Sequence, residues 1–250
     1  MTTGLKGRTA LITGGGSGIG AAIAERLASA GAKIIICGRR KAELERVAGV
    51  VPNCTCRQVD VTDEDAVVEL FRDITPPDIV IANAGAAESA PIEKTDLDLW
   101  NRLIGVNLTA AYLVAREGIK AMRGSGWGRI VFISSIAGLR GYPYVSAYCA
   151  AKHGVIGLTR ALAVETARRG ITVNAVCPGY TETPMLEQSI GNITRVTGLP
   201  PDDAGKALLS GNPMGRFIKP EEVAATVEWL CQDVSASVTG QAIGVSGGEV

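Results

Sequence analysis

The sequence predicts an α/β protein: a single domain over residues 1–250, built on one doubly wound parallel sheet of about seven strands with helices on both faces. Three observations predict it. Short apolar, β-branched segments recur along the chain, separated by segments of helical periodicity. Most of the apolar segments are continuous runs, as strands covered on both faces require. No linker, repeat or low-complexity tract divides the chain, so right-handed crossovers between parallel strands are the simplest connection.

The first strand, Thr9 to Thr13, feeds a glycine-rich turn, and a helix follows from Gly20 to Ala30 with Gly31 just past its end. Lys33 to Cys37 leads through Gly38-Arg39-Arg40 into a helix over Lys41 to Ala48. Thr55 to Val59 precedes a helix at Asp63 to Arg72, and Asp78 to Ala82 precedes one long helix, Asp96 to Met122. Arg129 to Ser134 is followed by a helix from Ser146, its expected N-cap, to Arg169, with Gly170 beyond. After the strand Thr172 to Val176 comes Tyr180 to Asn212, rich in Gly, Pro and Thr and too long for a plain connection. Such insertions are often lids, here about residues 183–212. Pro220 with Glu221-Glu222 opens a helix to Cys231, because carboxylates suit the positive end of a helix dipole. Gln241 to Val245 is the last strand.

Lys and Arg number 25 and Asp and Glu 25, so the formal net charge is zero, and no basic block exceeds Arg39-Arg40-Lys41. That leaves no electrostatic footprint for a nucleic acid or an anionic membrane and points to a small ligand. No apolar run approaches the roughly 18 residues of a membrane span, and Met1-Thr2-Thr3-Gly4-Leu5-Lys6 has no apolar signal core. A soluble, cytoplasmic protein is expected. Six cysteines (Cys37, Cys54, Cys56, Cys149, Cys177 and Cys231) are scattered through a chain large enough to bury its own core, and read as reduced packing residues. Cys54 and Cys56 share a strand face, but no second pair or histidine completes a tetrahedral site, so no metal is expected. His153 is the lone histidine, too few for most zinc enzymes, and is expected to pack or face solvent. Gly244-Val245-Ser246-Gly247-Gly248 has the spacing of a hydrolase nucleophile elbow, but no helix follows it and His153 lies upstream. Any catalysis needs another proton carrier.

Three motifs carry chemistry. Thr13-Gly14-Gly15-Gly16-Ser17-Gly18-Ile19-Gly20 lies between strand and helix, where glycines let backbone approach a pyrophosphate at a helix N-terminus. A carboxylate ending the second strand would accept bonds from an adenosine ribose, whereas Arg39 and Arg40 suit a 2′-phosphate, so NADP(H) is preferred and NAD(H) stays open. Tyr148 and Lys152, four residues apart on one helix, share a face, and a nearby ammonium favours phenolate. Ser134 and Ser135 end a strand on the side where open α/β sheets bind ligands, so three proton-handling groups can converge there.

With Asn83-Ala84-Gly85, Asn107, Pro178-Gly179 and the tail from Thr239-Gly240-Gln241 to Gly247-Gly248, these residues make the chain similar to the short-chain dehydrogenase/reductase family over almost its whole length. The resemblance implies a Rossmann domain in which Tyr148 donates or accepts the proton and Ser135, in preference to Ser134, orients a carbonyl. It further implies that Lys152 binds the nicotinamide ribose and lowers the Tyr148 pKa, and that Asn107 kinks its helix and links Lys152 to solvent through a water. Cofactor contacts carried over in the same way are Gly14, Ser17, Gly18, Ile19, Gly20, Asp60, Val61, Asn83, Ala84, Gly85, Pro178, Gly179, Thr181 and Thr183, to which the charge reading adds Arg39 and Arg40.

Two positions depart from the family pattern. Ala82 stands where Asn-Asn-Ala-Gly is usual, and Ser17 stands where NADP-preferring relatives often carry a basic residue, which leaves the preference on Arg39 and Arg40. The small-residue stripe Ala147, Ala151, Gly154, Ala161 is open to two readings: packing on the sheet, or, by the resemblance, a face joining a dimer of dimers. Met185, Leu186, Ile190, Ile193, Val196, Leu199, Leu208 and Leu209 suggest an apolar cover over the substrate cleft. Leu139, Arg140, Tyr142 and Tyr144 are expected at its mouth, with Arg140 a handle for an anionic tail. The expected substrate is an apolar ketone, foremost a 3-oxoacyl chain on coenzyme A or acyl carrier protein. The alternatives are an NAD-dependent dehydrogenase of a hydroxyacyl-CoA or cyclic alcohol, and a cofactor-binding regulator without activity.

Overall fold

A computed structural model describes residues 4–250; Met1-Thr2-Thr3, the start of the segment read for a signal, lie outside the described residues. Seven parallel strands form one sheet in the order β3-β2-β1-β4-β5-β6-β7. They are β1 Thr9–Thr13, β2 Lys33–Gly38, β3 Cys54–Gln58, β4 Ile79–Ala82, β5 Gly128–Ile133, β6 Ile171–Pro178 and β7 Ala242–Val245. The predicted sheet is there, with most strand limits moved by a residue or two.

Period-two alternation divides the strand side chains between two cores. Ala10, Ile12, Ile34, Ile36, Ile79, Ile81, Val131 and Ile133 face one layer. That layer is α1 (Gly18–Ser29), α2 (Lys41–Val50) and α9 (Pro220–Cys231). Leu11, Ile35, Val80, Ile130, Phe132, Val173 and Ala175 face the other, made by α3 (Glu64–Asp73), α5 (Ala110–Ala121) and α6 (Ser146–Thr166). Both faces are buried, which is why the strand sequences read as unbroken apolar runs. Strand order reverses between β1 and β4, and loops leaving the C-terminal ends of strands there open a crevice.

The long helix expected over Asp96 to Met122 is interrupted. It consists of α4 (Leu97–Ile104), a π-helical turn at Gly105–Thr109, and α5. Asn107 explains the break: its Nδ2 donates to the Leu103 carbonyl one turn back (2.9 Å) and to the Ala86 carbonyl (2.8 Å), so the side chain competes with the helical ladder. Ser146 is not the N-cap of α6. That position is Val145, Ser146 is the first helical residue, and its buried hydroxyl has no hydrogen-bond partner among the described residues. The insertion after β6 contains two helices, α7 (Pro184–Thr197) and α8 (Pro201–Leu209), so it is an ordered helical pair.

Most of the small-residue stripe of α6 packs within the chain. Ala147 and Ala151 are buried, Ala147 against Leu99 and Leu103 of α4, and a Cβ on Gly154 would meet the Leu108 side chain at 2.7 Å. Only Ala161 is exposed, because the π-helical turn and α4 occupy the rest of that face. His153 is exposed, with Nδ1 2.9 Å from the Cys149 carbonyl. Among the described residues, no three His, Cys, Asp or Glu side chains cluster to hold a metal, and no helix is long and apolar enough to cross a membrane.

Candidate active site

The crevice is built around the loop after β1. Gly14 and Gly18 have φ of +66° and +53°, which side chains disfavour, and they turn the chain sharply into α1. Gly20 has another reason to be glycine: a Cβ there would lie 2.3 Å from the Gly14 carbonyl oxygen and 2.6 Å from Asn83 Nδ2. Asn83 holds the loop from the next strand, its Nδ2 donating to the Thr13 carbonyl at 2.8 Å. The backbone N–H groups of Asn83 and Ala84 both donate to Thr13 Oγ1, at 3.0 and 2.9 Å. Thr13 is thus the pin between β1 and β4, a role that the sequence pattern did not mark. The result is a backbone-lined cradle at the start of a helix, which fits a dinucleotide's pyrophosphate.

Around the cradle the other predicted contacts gather. Thr183, the N-cap of α7, sits against Gly18, where an added Cβ would lie 3.0 Å from its methyl carbon. Thr181 is buried and donates to the Gly179 carbonyl (2.9 Å), fixing the Pro178-Gly179 turn beyond β6. Asp60 accepts from the backbone N–H and hydroxyl of Thr62, at 3.0 and 2.7 Å, and these bonds with Arg39 hold its carboxyl below the usual range. Val61 is buried. Arg39 and Arg40 are exposed at the start of α2.

The proton-handling residues meet at the end of β5. Ser134 is buried and donates to the Lys152 carbonyl (3.1 Å), so its hydroxyl serves the backbone of α6. Ser135 accepts from the Ala137 N–H (3.1 Å) and keeps its own proton to donate. Lys152 is buried, its Nζ donating to the Ile133 carbonyl (2.9 Å) and lying 5.5 Å from the Tyr148 ring centroid. Gly85 is the wall: a Cβ there would stand 2.8 Å from Asn107 Oδ1 and 3.6 Å from Lys152 Nζ. Asn107, Gly85 and Lys152 are therefore neighbours although far apart in sequence.

Burial is the largest influence on both charges. It raises Tyr148 to about 12, with the Ser135 hydroxyl pulling in the opposite direction through a hydrogen bond, and it lowers Lys152 to about 8. In the protein alone burial dominates the phenol, and the Lys152 ammonium is turned to the Ile133 carbonyl.

At the mouth, Arg140 and Tyr142 are engaged by the C-terminal segment. Tyr142 donates to Glu249 Oε1 (2.5 Å), and Arg140 lies 5.1 Å from the Tyr142 ring while donating to the Glu249 carbonyl at 3.4 Å. Arg140 is exposed at this mouth. Tyr144 adopts φ +65° and is exposed, while its carbonyl accepts from the Ala90 N–H at 2.8 Å. Of the apolar lid residues, Leu186 is buried, whereas Met185, Val196 and Leu199 remain exposed, so the apolar cover is partial. A cleft of about 290 Å³ beneath the start of α7 is lined by Glu182, Thr183, Pro184, Leu186, Glu187 and Ile190. Glu249 escaped the sequence reading because a single acid near a terminus has no spacing to mark it.

A family model described as short chain dehydrogenase matches residues 8–192. A D-beta-hydroxybutyrate dehydrogenase from Rhizobium meliloti (strain 1021) is 37% identical, the match covering 96% of this chain and 98% of the relative. A 3-oxoacyl-acyl-carrier-protein reductase from Rickettsia conorii is 37% identical, with 98% and 97% covered. The crystal structure of an actinorhodin polyketide ketoreductase with NADPH superposes with a TM-score of 0.92 at 35% identity, covering 100% of this chain and 99% of that one. This chain belongs to the short chain dehydrogenase family and is an NAD(P)-dependent oxidoreductase acting between a secondary alcohol and a ketone.

Proposed function

We propose that the chain reduces the ketone of a 3-oxoacyl group, carried on coenzyme A or acyl carrier protein, and that NADPH is its preferred reductant. The observation that carries the chemistry is Tyr148 and Lys152 on one face of α6, with Ser135 acting on the phenol from the end of β5. The bound nicotinamide supplies the hydride, and the chain's own groups supply everything else. Ser135 holds the carbonyl oxygen and stabilises charge developing on it, and Tyr148 gives that oxygen its proton. Lys152 binds the ribose beside the ring, and Asn107, which already fixes the Ala86 backbone, links Lys152 to solvent.

Gly14, Ser17, Gly18, Ile19 and Gly20 hold the pyrophosphate, Asp60 and Val61 the adenine, and Asn83, Ala84 and Gly85 the wall under the cofactor. Pro178, Gly179, Thr181 and Thr183 take the nicotinamide end, and residues 183–212 are the lid of this single cofactor-binding domain. Arg39 and Arg40 read the 2′-phosphate. A phenol raised to about 12 is protonated throughout the neutral range, so reduction finds its proton in place, and alcohol oxidation gains rate as pH rises.

Two similar proteins named as 3-oxoacyl and polyketide ketoreductases support the substrate class, and the hydroxybutyrate dehydrogenase supports a 3-oxygenated acyl skeleton. The test is consumption of NADPH and of NADH with 3-oxoacyl thioesters, simple cyclic ketones and, in the oxidising direction, short 3-hydroxy acids. A kcat/KM highest for the thioesters is expected; a preference for cyclic ketones or free hydroxy acids overturns the substrate assignment. The proposal includes a cytoplasmic dimer of dimers, supported by exposed Leu97, Trp100, Tyr112 and Val164 on α4, α5 and α6. Light scattering that finds only a particle of 25.9 kDa contradicts the assembly.

A further inference from the structure

Arg40 is already occupied in this structure. Its Nη1 lies 2.7 Å from Glu43 Oε1, three residues further along α2, and its Nη2 donates to Ser17 Oγ at 3.0 Å. Ser17 belongs to the glycine-rich loop, so the guanidinium spans from the helix to the cradle. Glu43 reaches the same loop. A Cβ on Gly16 would lie 3.2 Å from Glu43 Cβ and 3.3 Å from the Leu44 nitrogen, so the start of α2 packs directly on the loop backbone. The Glu43 side chain is 34% exposed, yet its second oxygen, Oε2, is buried and has no hydrogen-bond partner among the described residues. A carboxylate with one oxygen on Arg40 and one unsatisfied therefore stands beside the loop that cradles the cofactor.

We propose that Glu43 limits this chain's preference for NADPH, by competing with a ribose 2′-phosphate for Arg40 and by adding a negative charge where that phosphate must come. The inference rests on the reading above that Arg39 and Arg40 meet the adenosine ribose. A phosphate brings about one and a half to two negative charges and needs guanidinium donors. To use Arg40 it must displace or share Glu43, and it is repelled by what it displaces. An unphosphorylated ribose carries no such charge, and its hydroxyls are donors of the kind that Glu43 Oε2 lacks. The same carboxylate thus acts in opposite directions on the two cofactors, while Arg39, just before α2, faces Asp60 instead of Glu43.

Glu43→Gln keeps the size and removes the charge. The dissociation constants of NADPH and NADH are measured by fluorescence titration of the full chain, with a thermal melt to confirm folding. NADPH is expected to bind about three- to fivefold more tightly, the scale of one exposed ion pair, while NADH binds equally or more weakly. The NADPH gain is expected to shrink as salt is raised, because the groups are partly exposed. An unchanged or weakened NADPH constant overturns the proposal, since Glu43 would then be neutral or would be presenting Arg40 correctly. Arg39→Asp and Arg40→Ala separate the two layers of argument. If either weakens NADPH while Glu43→Gln does nothing, only the role of Glu43 fails. If neither moves NADPH affinity, the phosphate reading fails with it.

Discussion

Tyr148→Phe is expected to lose about a hundredfold to ten-thousandfold in turnover while still binding NADPH within about threefold of the parent, the range that a positioned proton donor contributes. The reason lies in how little else the substitution changes. The ring stays, and with it the packing of α6 and the approach of the Lys152 ammonium, 5.5 Å from the ring centroid. The lost group is the one hydroxyl on which Ser135 acts and for which no second acid is at hand, because the only histidine points to solvent. The variant should also lose the rise of alcohol oxidation with pH, since that rise belongs to ionisation of the phenol. Steady-state kinetics in both directions, beside a cofactor titration, reads this. Near-normal turnover rejects Tyr148 as the proton donor, and loss of binding alone would make it a positioning residue.

The second large effect is structural. Gly20→Ala places a methyl group 2.3 Å from the Gly14 carbonyl oxygen and 2.6 Å from Asn83 Nδ2, and neither can yield cheaply. The first is backbone of the tight turn, and the second is committed to the Thr13 carbonyl. An overpacked site of this kind costs about 1–3 kcal/mol, and in a protein of this size each kcal/mol lowers Tm by roughly 2–4 °C. Cofactor affinity should fall as well, because the clash lies in the cradle. Gly157→Ala is the matched control: it is an exposed position in α6 with nothing within 4 Å of the added Cβ. There alanine should stabilise by up to about 1 kcal/mol through helix propensity. Equal Tm for the Gly20→Ala variant and the parent would mean that the loop is not packed as described.

The sheet was legible because both its faces are buried, so strands such as Ile34 to Cys37 and Ile130 to Ile133 show nothing but apolar residues. The glycine loop and the Tyr148/Lys152 spacing were legible because each is set by local geometry. What escaped depends on partners distant in sequence. The resemblance gave the kink at Asn107, but its form, a π-helical turn at Gly105–Thr109, arises because Asn107 reaches across to Ala86, and no periodicity reports that. Ser146 looked like a cap, but the helix starts one residue earlier than a serine cap would place it. The lid hid two short helices because Gly191, Gly198 and Pro200-Pro201 break the pattern that would announce them. The spacing of Tyr148 and Lys152 shows that the two groups share a face, while burial, which spacing does not report, raises one and lowers the other. Glu43 and Glu249 carry no sequence signal, and only their contacts with Arg40 and Tyr142 single them out.

The central claim, that this crevice passes a hydride to a carbonyl carbon while Tyr148 supplies the proton, is tested most directly by isotope transfer. The reaction is run with a 3-oxoacyl thioester and NADPH deuterated at the transferable position of the nicotinamide ring, and the alcohol product is weighed by mass spectrometry. One deuterium on the carbinol carbon is predicted for the parent chain, and only traces of product for Tyr148→Phe. Product that carries no deuterium, or equal product from both proteins, contradicts the account.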